Sequence, residues 1–308
     1  MLKNQTFRFR RFVVGLLVAL AVLYVAASAF LYFQQDQIGF PVLTDYERVT
    51  PAALGIPFED LQIPVNGTEQ IHAWWLPASS DKVLLLFHGG GYVLEDNITL
   101  ALRAKSGLPP LPRLSLSRQL ELIPLHQLGL NILAFDYRGF GSSTPLNLTE
   151  KTATEDARAA LTYLTVQRRV PSRQIILTAW SLGTGPATEI AKEYPDMGGL
   201  VLVSPYTALP DLVQFMPELW YVRPLPYRLL SHTRFDNLSK MNSVHVPVLF
   251  IVGSVDDTTV PSMATALLQK ANEPKRLYVS PGASHANVWD IKTDQVIAEI
   301  SGFIQNRH

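Results

Sequence analysis

Five short, unbroken apolar runs do most to limit what this chain can fold into. They are Lys82–Phe87 (KVLLLF), Leu130–Phe135 (LNILAF), Gln174–Ala179 (QIILTA), Leu200–Val203 (LVLV) and Val246–Val252 (VPVLFIV). A strand with one wet face alternates apolar and polar residues, whereas a strand covered on both faces need not. Segments of helical spacing lie between and after these runs. Thr149–Arg168 puts Ala153, Ala157, Ala160, Leu161 and Leu164 on one stripe, and Leu182–Tyr194, Ser262–Ala271 and Asp290–Gln305 also read as helices. Such alternation predicts a mostly parallel sheet with helices on both faces. Phe58–Val65 and Gln70–Leu76 flank Asn66-Gly67, a hairpin signal that puts antiparallel strands at the start. Arg276–Ser280 is a weaker last strand, and no internal repeat is visible.

The N-terminal region follows a different rule. Phe12–Phe33 contains no charge, and at about 1.5 Å per residue it is long enough to cross a ~30 Å hydrocarbon layer. Lys3, Arg8, Arg10 and Arg11 precede it without an acid among them. The positive-inside rule then predicts a cytoplasmic N-terminus, with everything beyond Phe33 on the far side. Ala27-Ser28-Ala29 has the small-x-small form of a signal-peptide cleavage site, which makes a cleaved, secreted chain the competing reading. Phe30, Leu31, Tyr32 and Phe33 prolong the apolar run past that site and favour an uncleaved signal anchor. Lys+Arg and Asp+Glu number 26 each, so without the four N-terminal bases the remainder is mildly acidic. That balance argues against a nucleic-acid binder, which needs a basic surface for the phosphates.

Two stretches break the alternation. Residues 97–118 carry Pro109, Pro110 and Pro112 and read as an inserted loop. Residues 206–241 are Pro-broken yet rich in large apolar side chains, as expected of a lid or of an extra packing layer. Sequons begin at Asn4, Asn66, Asn97, Asn147 and Asn237, and read as polar turn residues at loop tips.

The chemistry centres on Ala179-Trp180-Ser181-Leu182-Gly183, where a buried strand runs directly into a helix. A serine at such a junction is cramped, so its neighbours two positions away must be small. Ala179 stands where Gly is usual. An elbow serine requires an acid and then a histidine downstream, each after a later strand. The strand at Val246–Val252 ends in Gly253-Ser254-Val255-Asp256-Asp257, and the next ends in Ser280-Pro281-Gly282-Ala283-Ser284-His285. Upstream, His88-Gly89-Gly90-Gly91 closes the first parallel strand. Its glycines let backbone N–H groups approach a substrate carbonyl beside the amide of Leu182. His88 reads as a brace for that turn.

These segments resemble the α/β-hydrolases, and most closely the membrane-anchored members related to lysophospholipases, depalmitoylases and serine-aminopeptidase-like proteins. The resemblance also rests on Phe33-Gln34-Gln35 and Gly39-Phe40-Pro41, on Gly129–Ser142 with its Asp136-Tyr137-Arg138-Gly139, and on Ser204-Pro205-Tyr206. Arg234-Phe235-Asp236 and the Gly282 to Trp289 run complete it. It implies a basic stub at 1–11, a transmembrane anchor at 12–33 and a hydrolase domain at 34–308. It also implies Ser181 as nucleophile and His285 as general base. The acid stays open. Counting from Gly253 selects Asp256, while the family's Asp-x-x-Val-Pro spacing selects Asp257, which is preferred because the following helix start fixes its aim.

The expected activity is hydrolysis of carboxylic esters or thioesters through an acyl-enzyme, with Gly90 and Leu182 as oxyanion donors and no cofactor. Trp180, Phe215, Met216 and Trp220 are candidate walls of an acyl pocket, and a lipid-like small molecule is the expected substrate. A serine peptidase and a catalytically idle membrane-anchored scaffold are the alternatives. Cys is absent, which removes thiolate chemistry and Cys-ligated zinc, and no His-x-x-x-His or similar spacing suggests a metal.

Overall fold

The computed structural model describes residues 2–39, 42, 46, 48–107, 122–216, 219–289 and 293–305, with the side chains of 2–6 and 36–39 left aside. The N-terminal apolar run lies within one long helix, α1 (Leu2–Gly39). Its stretch Phe7–Gln35 is long and apolar enough to cross a membrane, and most of its side chains face outward. Phe40 and Pro41, part of the sequence resemblance, lie outside the described residues.

The remainder is built on one eight-stranded sheet in the order β1-β2-β4-β3-β5-β6-β7-β8. β1 (Glu59–Asn66) and β2 (Glu69–Leu76) form the expected hairpin, and β2 continues antiparallel onto β4. β3 (Val83–Phe87), β4 (Asn131–Phe135), β5 (Ile175–Trp180), β6 (Gly199–Val203), β7 (Val248–Gly253) and β8 (Lys275–Ser280) run parallel. The apolar runs are continuous because each strand feeds two cores. Leu85 and Phe87 enter one cluster, Leu84 and Leu86 the other.

On one face pack α4 (Glu150–Thr162), α5 (Thr184–Glu193) and α8 (Pro261–Lys270), through Ala153, Ala157, Ala187, Ile190 and Leu267. On the other lie α2 (Leu94–Lys105), α3 (Leu122–Gln127) and α9 (Thr293–Gln305), through Ile98, Leu125 and Ile300. Tyr163–Gln167 extend α4 as a single π turn. Residues 290–292, the expected start of the last helix, are outside the described residues.

The inserted loop expected at 97–118 needs correction. Residues 97–105 belong to α2, while 108–118 lie outside the described residues. Asp96 accepts the Val93 N–H at 3.0 Å, and Glu95 and Asp96 suit the positive end of the helix. Leu94 and Ile98 then anchor it to the core, and the prolines come only after the chain leaves the helix at Gly107 (φ 68°). The loop-tip reading of the sequons fails at two positions. Asn97 and Asn237 are buried, and Asn237 Nδ2 donates to Tyr206 O at 3.1 Å. The described residues of 206–241 fold as short turns, with α6 (Tyr227–Leu230) and α7 (Asn237–Lys240) separated by irregular backbone. It lies over the C-terminal ends of the central strands.

Candidate active site

Ser181 follows the last residue of β5 and has φ 48°, a left-handed conformation that a non-glycine residue adopts only under constraint. The constraint comes from the turn, which must reverse from strand to helix within Ser181–Gly183. A Cβ on Gly183 would sit 2.3 Å from the Phe87 carbonyl oxygen, so bare backbone is needed where the turn crosses β3. Ala179, the departure from the usual glycine, points its methyl into the core and pairs with Phe87 and Leu202.

The loops after β7 and β8 are drawn together by Val255 N–H donating to Ala283 O at 3.0 Å. Gly253 permits this approach, because a Cβ there would lie 2.2 Å from the same carbonyl oxygen. The result brings three side chains into line. His285 Nε2 is 3.0 Å from Ser181 Oγ, and His285 Nδ1 is 3.1 Å from Asp256 Oδ2. The preference for Asp257 is therefore corrected. Asp256 is 3% exposed and touches the imidazole, whereas Asp257 is exposed at the cavity mouth.

The local reason is a turn closed on the Asp256 side chain. Its Oδ1 accepts the N–H groups of Thr258 and Thr259 at 3.1 and 2.8 Å. That Asx-type closure turns Oδ2 toward His285 and sends the next side chain outward. Thr259, which sequence reasoning missed, donates its hydroxyl to Asp256 Oδ2 at 2.9 Å and lies 3.0 Å from His285 Nδ1. Asp-x-x-Thr spacing was the available signal. Burial would raise the Asp256 carboxyl, but the hydrogen bond and charge of His285, with the Thr259 bond, hold it below the usual range. An ionised Asp256 fixes the Nδ1–H tautomer and leaves the Nε2 lone pair facing Ser181.

Gly90 and Leu182 border the cavity beside Ser181. Gly89 is pinned by Trp180, whose ring carbons would meet an added Cβ at 1.8 Å. Trp180 also lies against His285, with ring centroids 5.3 Å apart. His88 braces the turn as expected, donating from Nδ1 to Gly89 O at 2.8 Å and packing on Tyr137 and Phe140.

Beneath this turn is a cluster invisible in the sequence, because β2, α2 and the exit of β4 each supply one member. Donor atoms of buried His72, Glu95 and Asp136 lie within 4.8 Å of one another, a set with the chemistry to hold a metal ion. A proton meets the same need for positive charge. His72 Nε2 is 2.6 Å from Asp60 Oδ1, and Nδ1 is 3.4 Å from Asp136 Oδ2. Burial lowers the His72 pKa, but Asp136, Asp60 and Glu95 outweigh it and raise it to about 9. Burial and the Asp136 charge push Glu95 up to about 8. A protonated His72 offsets the charge of Asp60 and Asp136, while burial favours the neutral form of Glu95, whose Oε2 has no hydrogen-bond partner.

A cavity of about 1260 Å³ opens over Ser181 and His285. This exceeds the roughly 300–1,000 Å³ of ordinary small-molecule pockets. Trp180, Phe215 and Met216 line it, with Leu209, Leu212 and Leu225. Trp220 does not. It is 70% exposed on the outer side of the turn, while Leu219 and Tyr221 face the cavity.

Residues 82–227 match the model of the alpha/beta hydrolase fold family. A Mycobacterium tuberculosis protein of uncharacterised function is 38% identical over 163 residues, so the match spans little more than half of each chain (53% of this one, 56% of that one). A membrane protein of Saccharomyces cerevisiae, also uncharacterised, is 25% identical over 94% of this chain and 96% of its own. Among solved structures, an esterase of Pyrococcus furiosus superposes with a TM-score of 0.68 at 20% identity, over 86% of this chain and 97% of the esterase. These likenesses, with the sheet order and its antiparallel start, give the chain the alpha/beta hydrolase fold.

Proposed function

We propose that the chain is a membrane-anchored serine hydrolase of carboxylic ester or thioester bonds. The observation that carries this reading is the continuous line Ser181 Oγ, His285 Nε2, His285 Nδ1, Asp256 Oδ2 at 3.0 and 3.1 Å, at the floor of an apolar cavity. His285 takes the proton of Ser181 as Oγ attacks the substrate carbonyl. The resulting oxyanion is held by the backbone amides of Gly90 and Leu182, each such donor typically worth about 3–4 kcal/mol. The C–O or C–S bond then breaks, and the leaving alcohol or thiol departs with the proton from His285. Water attacks the acyl-enzyme, giving its proton to His285, which returns it to Ser181 as the acid leaves. Asp256 stays ionised throughout, orienting the imidazole and stabilising its charged form.

α1 is the proposed anchor. Lys3, Arg8, Arg10 and Arg11 at its start favour a cytoplasmic N-terminus, with the hydrolase domain on the opposite side. Labelling the full chain with a fluorophosphonate probe, together with turnover of p-nitrophenyl butyrate, tests the chemistry. Both should vanish in Ser181→Ala. Retained turnover in that variant would overturn the mechanism, and an unlabelled wild-type chain would point to the idle scaffold.

A further inference from the structure

Part of the cavity wall over Ser181 is made by the anchor helix. Leu23, Ala26, Ala27, Phe30, Leu31 and Gln35 of α1 line the same cavity as Ser181 and His285. Their spacing of three and four residues defines a single helix face. From Gln35 back to Leu23 that face runs about 18 Å along the helix at 1.5 Å per residue. A single leaflet contributes about 15 Å, half of a ~30 Å hydrocarbon layer. With Phe7–Gln35 as the span, the α1 wall of the cavity therefore runs from the interface toward the bilayer midplane.

Three further features agree with that depth. The end of α1 is latched to the segment 206–241, since Gln35 Nε2 donates to Leu230 O at 3.0 Å and its Oε1 accepts the His232 N–H at 3.1 Å. Above the latch, the small side chains of Ala26 and Ala27 line the cavity and add little bulk to its α1 wall. The same segment carries Trp220, Tyr221 and Leu229 exposed (70, 50 and 87%). Aromatic residues of this kind are enriched at membrane–water interfaces, where an apolar ring and a polar group meet both media.

We propose that the segment 206–241 rests in the interfacial layer of the membrane. A long-chain acyl ester of that leaflet then enters sideways between α1 and this segment, its chain along α1 and its carbonyl at Ser181. The substrate class is a membrane-resident acyl lipid, reached without passing through water. This rests on the serine-hydrolase reading for its chemistry, but its binding step stands apart from catalysis.

The test uses the full chain, intact and reconstituted in phosphatidylcholine vesicles, with three readouts. A phosphatidylcholine bearing a diazirine near its acyl terminus is photolysed with Ser181→Ala. Crosslinks are expected on Trp180 and Leu212, both buried and out of reach of bulk lipid, and Ala27→Trp should reduce them at least tenfold. The kcat/KM ratio for a palmitoyl ester held in the vesicle over p-nitrophenyl butyrate should fall at least tenfold in Ala27→Trp. Brominated lipid should quench the fluorescence attributable to Trp220, identified by its loss in Trp220→Phe, since the other four tryptophans are buried. Crosslinks confined to the outward face of α1, an unchanged substrate ratio, or no Trp220 quenching would overturn lateral entry even if butyrate is hydrolysed. Crosslinks at Trp180 without turnover of either ester would instead overturn the hydrolase reading and leave the lipid site standing. Turnover confined to an S-palmitoylated peptide would overturn the assignment to acyl lipids.

Discussion

Replacing Asp256 by Asn exposes how the proposed relay depends on one oxygen. Asp256 Oδ1 accepts two amides, at 3.1 and 2.8 Å from Thr258 and Thr259, and those bonds persist in Asn if its carbonyl takes the Oδ1 place. The side-chain NH2 must then occupy the Oδ2 place, facing His285 Nδ1 where an acceptor stood. Nδ1 has to present its lone pair to that donor, so the ring proton moves to Nε2 and faces Ser181 Oγ. The base is then occupied by a proton in the ground state. In the well-studied Ser-His-Asp template, this tautomer error costs about 10⁴ in kcat. That equals about 5.4 kcal/mol of barrier. The assay is kcat for p-nitrophenyl butyrate hydrolysis by the detergent-solubilised full chain, normalised to active sites and accompanied by a thermal melt. Asp256→Asn should lose several orders of magnitude in kcat with KM little altered. Asp257→Asn leaves every hydrogen bond to His285 in place and should keep most of its turnover. Equal losses in the two variants, or a fully active Asp256→Asn, would refute the assignment.

Two further outcomes concern the scaffold. Gly253→Ala puts a methyl 2.2 Å from the Ala283 carbonyl oxygen, a backbone atom that cannot swing aside. The β7 and β8 loops must part, with a stability loss of about 1–3 kcal/mol and a lower kcat as Asp256 and His285 separate. A Tm and kcat both equal to wild type would contradict this. The buried cluster predicts a pH dependence of stability. Folding raises His72 from 6.5 to about 9 and Glu95 from 4.5 to about 8, so each binds its proton more tightly when folded. The His72 contribution is complete below pH 6.5 and is lost as pH rises through about 9. The Glu95 contribution erodes between pH 4.5 and about 8. Thermal melts from pH 6.5 to 9 should therefore show falling stability, with a shallower decline in Glu95→Gln. An identical slope in the two proteins would refute the cluster's role.

Local patterning already carried the parallel sheet, its antiparallel start and the strand-to-helix position of Ser181. Continuous apolar runs answer to burial on both faces, and a serine with small residues two positions away on either side at a strand end answers to a tight turn. His285 was legible for a similar reason, as a histidine on a small-residue loop after a late strand. The carboxylate that faces His285 was not, because Asp256 and Asp257 are neighbours with the same chemistry. Only the turn closed by the Thr258 and Thr259 amides decides which one faces inward. Trp220 and Phe215 are equally apolar on paper, yet a short turn sends one outward and the other into the cavity. The prolines beyond Gly107 concealed α2, whose Leu94 and Ile98 are held in a core cluster assembled from several other elements.

The deepest division concerns the N-terminal helix. Charge and hydropathy are properties of a segment, so the apolar helix and its basic flank could be read directly from the order of residues. That this helix walls the cavity over Ser181 depends on Gln35 meeting Leu230 and His232, nearly two hundred residues later. Contacts at that separation follow from the sheet bringing its strand ends to one edge, and no local pattern encodes them.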